Sequence, residues 1–116
     1  MDSDDILARM RQVRIAQDAI RSAQGRLNAP MADADRLIRG AGNASVTVSS
    51  LVGGAADGTD GRISARLDAA AESGRRFKQR LQDSYAQMSS RIDDLEREYE
   101  YLEAELRAAL ERESSE

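Results

Sequence analysis

The residues best equipped for chemistry in this sequence are acid pairs at helical spacing: Glu96–Glu100, Asp94–Glu98 and Asp68–Glu72. Carboxylates four residues apart share one face of a helix, where they can hold a metal ion or divide into a general acid and a general base. Di-metal helical sites complete that set with a Glu-x-x-His element. The chain has no histidine and no cysteine. That removes imidazole and thiolate ligands, the usual general base and any disulfide. The acids also lie mostly off the apolar positions, so no cavity is expected to perturb them. The glycine-rich stretch GGAADGTDG lacks the GK[ST] ending of a phosphate loop, and Asp57 and Asp60 lack the ligand spacing of a calcium loop. No catalysis, metal, cofactor or small-molecule substrate is expected.

The acids ride on helices. From Leu81 the apolar residues fall at Leu81, Tyr85, Met88, Ile92, Leu95, Tyr99, Leu102, Leu106 and Ala109. Steps of four and three alternate, which is a heptad seam, the mark of a helix packed lengthwise against another. Ile63, Leu67, Ala70, Gly74 and Phe77 continue the line upstream, with Thr59 or Asp60 suited to cap the start. A long helix over about 61–112 follows. Phe77, Leu81 and Tyr85 are spaced four and four, a stutter that relaxes the supercoil. Gly74 lies on the apolar side, where it marks either close approach by a neighbouring helix or a tolerated weak spot. From Asp93 onward ten acids face three arginines, a net charge of −7. Such an end opposes the helix dipole; it suits a basic partner surface or is a charged coat without one.

Upstream, Ser3, Asp4 and Asp5 precede Ile6 and suit a helix start. Ile6, Val13, Ile20 and Leu27 recur every seven residues, with Met10 beside them. Met31, Ala34 and Ile38 keep the phase beyond Pro30. This predicts a helix over about 4–39, kinked at Pro30 where the ring removes one N–H. The alternatives are a plain stop with a loop after it, or a new helix capped by Asn28. Gly40 and Gly42 are expected to end the helix. Residues 41–60 then read as a flexible, glycine-rich connector, with Val46 and Val48 alternating with Ser45, Thr47 and Ser49 as a weak strand signature.

These elements predict an all-α fold: an extended antiparallel helical hairpin, one domain over residues 1–116, with a coiled-coil-like long C-terminal helix. Hydrophobic residues make up 41% of the chain and aromatics 3%, enough for a thin seam between helices and not for a broad core. The long helix would span roughly 80 Å and the first roughly 54 Å at ~1.5 Å per residue. The C-terminal end would then overhang by about 18 residues, leaving Leu102, Leu106 and Leu110 uncovered. Burying a leucine is worth roughly 1.5–3 kcal/mol, so an outside helix is expected to cover the stripe Met88, Ile92, Leu95, Tyr99, Leu102, Leu106 and Leu110. The occupant is a helical protein partner or a second copy. The net charge of −4, with arginines interleaved among acids, argues against nucleic acid. No run is apolar enough for membrane insertion.

Near the C-terminus stand two tyrosine–glutamate pairs at a spacing of four: Tyr99 with Glu103, and Tyr101 with Glu105. The layout of two helices about a glycine-bearing turn, with Tyr-x-x-x-Glu following, resembles the small helical-hairpin proteins of bacterial type VII secretion, of the WXG type, and the longer accessory proteins encoded with their toxins. The counterpart of the Trp-x-Gly turn is Val52-Gly53-Gly54, without the tryptophan. The resemblance implies pairing with a second helical protein, a composite export signal at Tyr99, Tyr101, Glu103 and Glu105, and a role as targeting factor or chaperone-like accessory. Its members lack a cleaved leader, which keeps secretion without a cleaved signal peptide open beside the cytoplasmic location expected from the absence of a leader and of a long apolar run. The acidic start MDSDDILARM agrees with the lack of such a leader. Two other readings stand beside it: a self-associating structural coiled coil, and an adaptor that orders on binding.

Overall fold

The structure, a computed structural model, describes residues 2–52 and 59–115. It is an all-α antiparallel helical hairpin of three helices: α1 (Ser3–Arg26), α2 (Asn28–Val52) and α3 (Thr59–Ser115). The chain divides into two compact units, Met1–Gly25 with Tyr85–Glu116, and Arg26–Ser84.

In the first unit α1 runs antiparallel to the last part of α3. Asp2 caps α1, its carboxylate accepting from the Asp5 N–H at 2.9 Å; this satisfies one of the unpaired N–H groups of the first turn. Ser3 reaches across instead, and its hydroxyl donates to Glu113 at 2.9 Å. The seam is the heptad set read from the sequence. Ile6, Met10 and Val13 pack with Leu95, Leu102 and Ala109, and Ala16, Ile20, Tyr99 and Leu106 flank them.

In the second unit α2 runs antiparallel to the first part of α3. The junction before it is set by Pro30. Without an N–H, Pro30 cannot bond back to Arg26, so the ladder of α1 stops there. A new ladder begins where the Met31 N–H donates to the Leu27 carbonyl at 3.1 Å. Pro30 thus occupies the first turn of a fresh helix, where its missing N–H costs nothing. The chain restarts after Leu27 and does not carry one kinked helix over 4–39.

α2 does not end at Gly40 or Gly42 but continues to Val52, and no strand forms at Val46 and Val48. A lone strand there would leave its N–H and C=O groups without partners. A helix satisfies them within the segment and also places Ala34, Ile38, Ala41, Ser45 and Val48 on one side. Ala34 and Ala41 are buried, and an added Cβ at Gly40 or Gly42 would meet nothing within 4 Å. Those glycines cost helix propensity, about 1 kcal/mol each, without breaking the seam. Thr47 sits in the helix by bonding its hydroxyl back to the Asn43 carbonyl at 3.0 Å. Residues 53–58 of the expected connector, with Asp57, lie outside the described residues.

The seam of the second unit is built from small residues: Ala34, Ala41, Ala71 and Gly74 are buried. A Cβ at Gly74 would stand 3.0 Å from Ile38 Cγ1 and 3.4 Å from Leu37 Cδ2. Gly74 therefore marks close approach by a neighbour. Lys78 and Asp35 close one side of the seam with an ion pair at 2.7 Å.

Within the first unit the start of α1 meets the end of α3 at Ser3 and Glu113, so among the described residues the end of α3 does not overhang α1 by the expected length of about 18 residues. Among the described residues no helix is long and apolar enough to cross a membrane.

Candidate functional site

The seam of the first unit places its polar residues as deliberately as its apolar ones. Counting by sevens from Ser3 gives Met10, Gln17 and Gln24, the line that alternates with Ile6, Val13 and Ile20. Gln17 is fully buried and Gln24 nearly so. A buried amide must find partners or cost its desolvation. The Gln17 Nε2 donates to the Ile92 carbonyl at 3.2 Å and to Glu96 Oε2 at 3.0 Å. Its Oε1 accepts from Arg14 Nη1 at 2.7 Å. Gln24 Nε2 donates to the Tyr85 carbonyl at 3.2 Å and to the Ser89 hydroxyl at 2.8 Å. Sequence reasoning missed both glutamines, although the seven-residue spacing from Met10 signals them.

Around Gln17 a compact charged cluster forms. Arg14 donates to Glu96 at 2.6 Å, and its guanidinium lies 3.6 Å from the centroid of the Tyr99 ring, a cation–π contact. The hydrogen bond from the Gln17 amide, and then that from Arg14, hold the Glu96 carboxyl below its usual value. Glu96 in turn, ahead of Tyr99, raises Arg14. One residue thus links the buried line to the solvent-facing edge. On the opposite edge Arg9 Nε bonds Glu98 at 2.8 Å.

The acid pairs do not come together as pairs. Glu96 faces Arg14 and Gln17, Glu98 faces Arg9, Asp94 faces Arg97 and Glu72 faces Arg75. Among the described residues no three acids converge on a point where a cation could sit. The chemistry of this surface is ion pairing between helices and along them.

The apolar stripe is covered from within. Leu95 and Leu102 are buried against α1, with Tyr99 and Leu106 packed beside them. Met88 and Ile92 are half-buried, and Leu110 is 50% exposed. The helix that covers this seam is α1 of the same chain, because α1 carries the complementary heptads in antiparallel register.

The two Tyr-x-x-x-Glu matches differ. Tyr99 turns to the seam and lies under Arg14. Tyr101 is 65% exposed, and its hydroxyl donates to Glu105 Oε1 at 2.8 Å. That bond, made to a carboxylate, raises the phenol above its ordinary value.

The antiparallel helical hairpin is consistent with the general architecture of the WXG-type proteins. Comparison with protein-family models, curated proteins and solved structures finds no match to this chain.

Proposed function

We propose that this chain is a non-catalytic, helical partner-binding protein that serves as a targeting factor or chaperone-like accessory for export of its partner through type VII secretion. The observation that carries the reading is the Tyr101–Glu105 turn. A phenol and a carboxylate sit one turn apart, held to each other, with the ring in solvent on a helix whose other side is occupied by α1. Packing does not require Tyr101, so its exposure supports a docking role. The net charge of −7 from Asp93 onward suits a basic receptor surface.

The test is co-expression with candidate helical partners, followed by transport of the pair. Tyr101→Ala and Glu105→Ala are expected to stop export while the complex and its melting temperature stay as in the wild type. Tyr99→Ala is expected instead to lower stability, because its ring packs on the seam. Normal export of both Tyr101→Ala and Glu105→Ala counts against the proposal.

A further inference from the structure

We infer that α1 carries an outward-facing docking line that pairs two copies of this chain about a two-fold axis. Leu7, Arg11, Ile15 and Asp18 recur at steps of four, four and three, so they form one line along the helix. It is distinct from the Ile6, Met10 and Val13 line that packs on α3. The four residues border a groove of about 360 Å³ with the Tyr99 ring at its edge. Ile15 is 67% exposed and Leu7 39%. Arg11 makes no ion pair among the described residues. Asp18 reaches only Arg21, at 3.5 Å, and its side chain is 78% exposed.

The order of the charges names the occupant. Arg11 and Asp18 are two helical turns apart, with their midpoint between Arg14 and Ile15. A two-fold axis through that midpoint lays a second α1 antiparallel on the first. Arg11 then faces the second copy's Asp18, Asp18 faces the second copy's Arg11, and the two Ile15 side chains meet near the axis. A parallel pairing would set arginine on arginine and aspartate on aspartate, which is repulsive. An isologous interface requires a patch that is its own complement, and Arg11 and Asp18 are complementary in the antiparallel arrangement alone, with Leu7 then lying opposite the second copy's Ser22. The line includes neither Tyr101 nor Glu105, so it stands or falls apart from the export reading.

The experiment is charge inversion in the full chain, read by sedimentation equilibrium from micromolar to submillimolar concentration. The wild type is expected to form dimers that tighten as salt is lowered. Arg11→Asp and Asp18→Arg, each alone, are expected to weaken the dimer about tenfold or more. Mixed one to one, the two variants are expected to form a heterodimer as tight as the wild-type dimer, because every facing pair regains opposite sign. Helicity and melting of each variant at low concentration separate lost pairing from lost folding. A wild-type chain that stays a single copy across the range overturns the inference and leaves the groove to a different partner. So does a dimer indifferent to both inversions, or a pair of variants that fail to combine.

Discussion

Replacing Gln17 by alanine removes the one side chain that ties the buried line of the first unit to its charged edge. The amide is fully buried and makes three hydrogen bonds, to the Ile92 carbonyl, Glu96 and Arg14. Their loss is softened on two sides. Arg14 and Glu96 still hold each other at 2.6 Å and their side chains are 42% and 41% exposed, so water can replace the amide. We take a net loss of about 1 kcal/mol for the hydrogen bonds. The missing methylene and the void left by the amide add about 1–2 kcal/mol. The expected destabilisation is therefore about 2–3 kcal/mol in urea unfolding, observed by circular dichroism. Gln17→Leu separates volume from polarity. Leucine refills the space without an amide to satisfy, so it is expected within about 1 kcal/mol of the wild type. Its cost falls on uniqueness: with Gln24→Leu added, the seam has no buried amide to fix register, and amide resonances are expected to double or broaden. If Gln17→Ala loses under half a kilocalorie per mole, or Gln17→Leu loses as much as Gln17→Ala, this division of the energy is refuted.

Two further outcomes follow from the seam. Gly74→Ala is expected to be near neutral in thermal unfolding: the gain in helix propensity, about 1 kcal/mol, is opposed by a Cβ 3.0 Å from Ile38. Gly74→Leu is expected to lose about 1–3 kcal/mol from overpacking, and a stabilised Gly74→Leu would sink the close-approach reading. For pH, Glu96 lies below its unfolded value because of Gln17 and then Arg14. Its contribution is present above the ordinary carboxylate range and is lost as pH falls through its folded pKa. The stability difference between the wild type and Glu96→Gln is therefore expected at neutral pH and should shrink on acidification; a difference that grows in acid would have the sign wrong.

The heptads of α1 and of the last part of α3 were legible because a seam that excludes water repeats with the helix itself. Leu95, Leu102, Ile6 and Val13 could be placed on it by counting. Gln17 and Gln24 escaped because a polar residue at a seam position looks like a break in the pattern until its partners are known. The α2 extension was illegible for a different reason. Glycine, valine and threonine carry weak or contrary helix propensity, and Val46 and Val48 alternate as a strand would. What they form is the continuation of a helix whose buried face is laid down upstream, where Ala34 and Ala41 are buried and the side chains of Leu37 and Ile38 pack over Gly74.

By itself, then, the amino-acid order determined that this protein is helical, with antiparallel helices joined by thin seams, because periodicity and the scarcity of large apolar residues are properties of the chain alone. Which helix covers which stripe was decided by tertiary packing. That choice depends on the contacts of α1 with the last part of α3 and of α2 with its first part. Those contacts are made between segments far apart in sequence, so no local pattern contains them.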